Sequence, residues 1–257
     1  MIAGHNEAPT ATAPAVTTVL EFCDRKLPFR FPNSGNMQQH LQSILSGKDY
    51  PTPPLPSGYR VRTIVDIGAN VGAAALWFLT AAPDARVICF EPSRANFDCL
   101  RHNLKSFPQA EAYHCGLFSS ERVATLHLGA SQCMQHSIVA SAETGDAIES
   151  ITLKRASLEF DRLGLKEISV LKIDTEGCEV PILNDLGVER LSKVEVIHLE
   201  WHSETDRRAI DALLGEHFML ASVTSNYPHR GNVTYMAKSL AARVAQIDMM
   251  RVEHPTV

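Results

Sequence analysis

Val65-Asp66-Ile67-Gly68-Ala69-Asn70-Val71-Gly72, preceded by Thr63 and Ile64, reads as a buried strand running into a glycine turn. Residues 63–68 form a continuous apolar run broken only by Asp66, the pattern of a strand covered on both faces of a parallel sheet. Gly68 can take the positive φ of a tight turn. Gly72 lets the next helix, predicted over residues 70–82 and stopped by Pro83, sit close to the strand, or lets a ligand approach the backbone. The spacing is not G-x-G-x-x-G, because residue 70 is Asn and Gly recurs at 72. The missing middle glycine disfavours a pyrophosphate packed on this backbone. The loop amides tolerate an anion, whereas Asp66 places a carboxylate near the pocket mouth and favours a ligand with a cationic group.

Outward from this turn, strand and helix alternate. Strands are predicted over residues 86–91, 111–115, 168–174 and 194–200, with helices over 93–107 (N-cap Ser93, stop Pro108), 157–163 and 204–216 and a short helix after Gly177. Residues 123–128 alternate as an accessory hairpin strand, 151–155 form a weak strand, and 129–150 read as an irregular insertion. Residues 218–224 and 232–238 close the sheet. This rhythm implies α/β architecture with parallel pairing and right-handed crossovers. Residues 1–14 read as a disordered tail. Residues 15–60 form an extension in which Phe29 and Phe31 pack on the main domain, residues 37–45 are helical, and Pro51, Pro53, Pro54 and Pro56 stiffen the connector. The main domain spans 61–238. The last segment, 239–257, is a helix and tail; its stripe of Leu240, Val244, Ile247 and Met250 is a docking face for this domain or for a second copy in a homodimer.

Composition narrows the function. With 257 residues, 45 % hydrophobic, the chain can bury a core without metal or disulfide staples. Its net charge of −5 gives no basic footprint for nucleic acid. The six cysteines (Cys23, Cys89, Cys99, Cys115, Cys133, Cys178) form no C-x-x-C pair, which suits a reducing compartment. Cys89 sits in an apolar run and is expected in the core. The beginning of the chain has no basic-then-apolar leader, and the longest apolar run, 71–79, is too short to span a bilayer. A cytoplasmic protein without a membrane span is expected.

In such sheets ligands bind beyond the carboxyl ends of the strands, at the topological switch point. Glu91, which with Pro92 ends the second strand 25 positions after Asp66, is placed to accept hydrogen bonds from two ribose hydroxyls. A ribose ligand carrying positive charge points to S-adenosylmethionine. Asp174 ends an apolar strand toward the same pocket, and Lys172, two positions earlier, shares its face and can pair with an acid. Glu176 and Glu179 read as caps of the following helix. His198, Glu200 and His202 alternate on one face; His198 is expected in the core, and Glu200 and His202 at the acceptor. Their spacing matches no metal signature, and no metal is expected. Trp201 serves either the acceptor or packing, and His114 and His136 read as structural or solvated.

The stretches at 65–72, F-E-P-S at 90–93, L-K-I-D-T-E-G-C-E at 171–179 and L-E-W at 199–201 together resemble the FkbM-type S-adenosylmethionine-dependent methyltransferases, over residues 41–238. The resemblance implies a class I, Rossmann-like fold: a seven-stranded, mostly parallel sheet with an antiparallel last strand and helices on both faces. It also implies methylation, usually of a hydroxyl oxygen, on sugars, glycolipids or secondary metabolites. The expected cofactor site is Asp66, Gly68, Ala69, Asn70, Gly72, Glu91, Pro92, Cys115, Gly116 and Asp174. The expected catalytic groups are Glu200, His202 and Asp174, taking the acceptor's proton as general bases. The alternatives are N-methylation of a small molecule and a non-catalytic cofactor-binding protein. The glycine spacing argues against a nicotinamide oxidoreductase.

Overall fold

The computed structural model describes residues 15–22, 25–33, 37–129, 144–227 and 229–253. Its centre is a seven-stranded sheet in the order β11-β12-β10-β9-β3-β4-β5. These strands are β3 (Thr63–Ile67), β4 (Arg86–Phe90), β5 (Ala110–Tyr113), β9 (Ile168–Ile173), β10 (Val194–Trp201), β11 (Phe218–Tyr227) and β12 (Arg230–Ala237). β3 pairs in parallel with both β4 and β9, whereas β12 runs antiparallel between β10 and β11. This is the class I, Rossmann-like arrangement, with the last strand antiparallel. β9 is buried at every position and β3 at all but its first, as continuous apolar runs demand. The helices that cover the sheet are α2 (Ala73–Ala81), α3 (Arg94–Leu104), α4 (Ala156–Arg162), α5 (Glu179–Leu191), α6 (Glu204–Leu214) and α7 (Lys238–Glu253).

The chain moves from β3 to β4 and β5 on one side, then returns to β9 on the other. The switch point therefore lies between β3 and β9, beside the glycine turn. Helix α2 begins three residues later than expected, because Asn70 (φ 51°) and Gly72 (φ 89°) both adopt left-handed backbone before it. A Cβ at Gly72 would stand 2.9 Å from Leu100 Cδ1, so glycine here admits α3 against the turn.

The extension differs from expectation. Two strands, β1 (Ala15–Phe22) and β2 (Arg25–Pro32), pair antiparallel as a hairpin before α1 (Met37–Leu45). Phe29 and Phe31 are buried in the main core, as their aromatic stretch implied. The accessory strand belongs to a second sheet, β6-β8-β7, made of β6 (Gly116–Phe118), β7 (Arg122–Gly129) and β8 (Thr144–Arg155). Residues 144–150, expected to be irregular, pair as strand with β7, and among the described residues Leu126, Ile151 and Leu153 form a small cluster of their own in this sheet. The tail at 1–14, Cys23, Cys133 and His136 fall outside the described residues.

Candidate active site

A cavity of about 600 Å³ opens at the carboxyl ends of β3, β4, β9 and β10, within the range usual for small-molecule sites. The glycine turn makes its floor. Gly68 and Ala69 both donate backbone N–H groups to Phe90 O at 3.0 Å. At Gly68 (φ 76°) a Cβ would fall 1.9 Å from the Asp174 carbonyl oxygen, so β3 and β9 can meet here only through glycine.

Glu91 is 5 % exposed and lies across the turn. Its Oε2 accepts from Asn70 N–H at 2.8 Å and its Oε1 from Ser93 N–H at 2.8 Å. Ser93 occupies the N-cap position of α3, yet its hydroxyl makes no capping bond there. Burial pushes the Glu91 carboxyl up to about 7 despite the two amides. A carboxylate offers about four acceptor sites, so each oxygen retains one.

Asp66 is not at the pocket mouth. It is 0 % exposed and lies beneath the lining, because the strand alternation aims it at its register partner Lys172 on β9. Lys172 Nζ lies 3.1 Å from Asp66 Oδ1, 3.7 Å from Asp174 Oδ2 and 2.6 Å from Gly68 O, to which it donates. Neither Asp66 oxygen has a well-angled donor, so its compensation is largely Coulombic. Burial raises the Asp66 pKa and opposes charging of Lys172; the adjoining carboxylates outweigh burial at Lys172 and hold it protonated. Gly72 and Cys115 also sit outside the lining, whereas Gly68, Ala69, Asn70, Glu91, Pro92, Gly116, Asp174 and Glu200 are within it. Cys115 is buried, and burial pushes its thiol up to about 11. Cys89 is buried in the sheet, and His198 is a core residue bonded to Thr234 Oγ1 at 2.9 Å.

The end of the cavity at β9 and β10 is acidic. Burial would raise Asp174, but Lys172, a shared hydrogen bond with Glu200, His202 and Tyr50 together hold it below the usual carboxylate range. Glu200 is driven well up by burial and by Asp174 and Glu176. The two carboxyls are thus pushed apart, Asp174 toward the ionised form and Glu200 toward the protonated one. His202 stands outside the lining, with Nδ1 3.6 Å from Glu176 and Nε2 3.7 Å from Glu179 and 3.8 Å from Glu200. Burial lowers its pKa, yet these acids outweigh burial and lift it to about 10. An imidazolium at neutral pH has no lone pair free to take a proton, and His202 stands behind the lining rather than on it. Glu179, expected to cap the helix, instead braces the turn before it, accepting from Thr175 N–H at 2.7 Å and Gly177 N–H at 3.0 Å, while the N-cap position is held by Cys178 without a side-chain bond. Glu176, at φ 55°, instead joins the acidic end, and burial raises it to about 7. Glu176, Glu200 and His202 bring side-chain nitrogen and oxygen atoms within 4.8 Å of one another.

Sequence reasoning missed the fourth wall. Gln39, His40, Ser43, Asp49 and Tyr50, from α1 and the turn after it, face the strand ends across the cavity. Tyr50 Oη donates to Asp174 Oδ2 at 2.9 Å. Tyr50 lies 124 positions from its partner, and no local motif marks such a contact.

A glycine turn at the switch point, a buried carboxylate after the second strand and an acidic end line one cavity on a class I, Rossmann-like fold. The family comparison agrees: residues 66–226 match the methyltransferase FkbM domain, and the chain belongs to that family, whose methyl donor is S-adenosylmethionine. Among relatives, the chain is 28 % identical over 231 residues to the AMB antimetabolite synthetase AmbE of Pseudomonas aeruginosa, covering 70 % of this chain and 11 % of that one. It is 29 % identical over 185 residues to Methyltransferase sdnD of Sordaria araneosa, covering 59 % and 71 %. The chain therefore spans about a tenth of the first relative and under three quarters of the second. Among solved structures, precorrin-6y C5,15-methyltransferase from Geobacter metallireducens aligns with a TM-score of 0.44 at 15 % identity, covering 78 % and 89 %. Among the described residues no helix is long and apolar enough to cross a membrane.

Proposed function

We propose that the chain transfers a methyl group from S-adenosylmethionine to a hydroxyl oxygen of a small-molecule acceptor, a sugar or secondary metabolite, by in-line displacement. The observation that carries this reading is the cavity's polarity. A ribose-competent carboxylate, Glu91, stands at one end and an acid pair, Asp174–Glu200, at the other. The residues fit the cofactor: Glu91 keeps an acceptor site on each oxygen for the ribose hydroxyls, and the Gly68 turn leaves backbone within reach. Leu117, Ile151 and Leu153 supply an apolar wall suited to a base. When bound, the cofactor supplies a methyl already activated by its sulfonium charge.

The chain's own residues then position and deprotonate. Asp174 is the ionised member of the acid pair and accepts the acceptor's hydroxyl proton, while Glu200 keeps its own proton. His202 offsets the negative charge of Glu176, Glu179 and Glu200 and fixes Glu200 from behind. Calorimetric titration with S-adenosylmethionine and S-adenosylhomocysteine, followed by a radiolabelled-methyl screen of hydroxylated and amine acceptors, tests the reading. Micromolar binding of both cofactor forms and label on a hydroxyl compound are expected. A folded sample that binds neither form sinks the cofactor assignment; label confined to amines sinks the oxygen assignment.

A further inference from the structure

Tyr50 is 4 % exposed and comes from outside residues 66–226, the segment that matches the family. Its position is over-determined. Gly47, at φ 74°, lies so close to the Trp77 indole that a Cβ would come within 2.5 Å of the ring. Trp77 Nε1 donates to Tyr50 O at 3.1 Å, and the Tyr50 ring packs 6.0 Å from Phe78 and edge-on 5.7 Å from His198. The phenol is thus delivered to Asp174 by packing on α2 and β10 rather than by a flexible loop. Its pKa is raised by burial and by Asp174, so the hydroxyl stays a donor.

We propose that Tyr50 is a positioning residue of this site: its phenol pins one oxygen of Asp174, and so fixes the carboxylate that meets the acceptor. The inference rests on the methyltransferase reading above and adds a residue to it from the N-terminal segment. Asp174 is faced by Lys172 on β9, Asp66 on β3, Glu200 and His202 on β10, Glu176 in the turn and Tyr50. Tyr50 is a neutral group that can be silenced without changing the charge of the site. With Tyr50→Phe, the ring packing remains and the hydrogen bond goes.

The test is a carboxyl NMR titration of the full chain without ligand, in wild type, Tyr50→Phe and Asp174→Asn, the last to assign the resonance. Loss of a hydrogen bond to the charged form is expected to move the midpoint of the Asp174–Glu200 pair upward by roughly one pH unit, with the melting temperature held close to wild type. S-adenosylmethionine affinity is expected to fall about tenfold. An unmoved midpoint in Tyr50→Phe overturns the proposal, and so does equal cofactor affinity in the two proteins. If wild type itself binds no cofactor, the methyltransferase reading falls, while the ligand-free titration still decides whether Tyr50 governs Asp174. Tyr50→Leu, which also removes the ring, is expected to lower the melting temperature; a Tyr50→Phe variant that melts as low would overturn a role carried by the hydroxyl.

Discussion

Glu91 shows how a single carboxylate can be fixed and kept available. Two backbone amides hold its oxygens, yet burial keeps its pKa near 7. The sign of its effect on stability follows from that shift. A folded-state pKa above the ordinary carboxylate value contributes stability in acid that is lost as pH rises through about 7. The fold therefore carries this buried charge at a cost under neutral conditions, as expected of a binding group rather than a structural one. Two consequences can be measured. Cofactor affinity should fall as pH drops through about 7, because a protonated carboxyl loses part of its accepting capacity. Glu91→Gln should flatten that profile and weaken binding at pH 8 by about 1.5–3 kcal/mol, the worth of hydrogen bonds to a charged group. Calorimetry across pH would read both; a variant with wild-type affinity and slope would remove Glu91 from the site.

At the scale of elements, β3 and β9 are joined by more than their ladder. Asp66 and Lys172 are register partners, 0 % and 3 % exposed on their side chains, and they place the charge that Asp174 feels. Lys172→Met keeps the length of the side chain but strands Asp66 in the core. Breaking one side of a buried pair costs about 3–5 kcal/mol, so urea unfolding should show a loss of that size, with part of it recovered in Asp66→Asn/Lys172→Met. A single variant that loses under 1 kcal/mol would show that water reaches Asp66 and the pair is not structural. These strands were the most legible part of the chain, because two-sided burial leaves continuous apolar runs and their polar exceptions mark the sheet ends. The placement of Asp66 is less legible for the same reason: its position in the run is visible, but whether it faces the cavity or a buried lysine depends on register across strands. The hairpin β1–β2 went unseen because its strands pair largely with each other and mix Thr, Glu, Lys and Arg with apolar residues, leaving no clean period. The wall contributed by Tyr50 was invisible because its partner lies 124 positions away.

For the whole molecule, Asn103 ties three regions into one. Its Oδ1 accepts from Arg30 N–H at 2.7 Å, and its Nδ2 donates to Arg30 O and to Val71 O, each at 2.8 Å. A side chain on α3 thereby holds the N-terminal hairpin and the glycine turn at once, where it is 6 % exposed. The turn's left-handed residues, Asn70 and Gly72, flank the carbonyl that Asn103 holds. Disturbing the hairpin should consequently reach the cofactor floor through one amide group. Asn103→Ala leaves the Arg30 N–H and two carbonyls without this partner, of which the buried Val71 carbonyl costs about 1–3 kcal/mol when unsatisfied. Hydrogen–deuterium exchange should then show faster exchange at the Arg30 amide and through the turn at residues 68–72, while the antiparallel pair β10–β12 keeps its wild-type protection. Cofactor at saturating concentration should restore protection in the turn but not at Arg30, since ligand contacts can replace the Asn103 anchor only where they touch the chain. Faster exchange at Arg30 with an unchanged turn would mean that the hairpin and the cofactor floor are independent, and that the N-terminal segment acts on the site through Tyr50 alone.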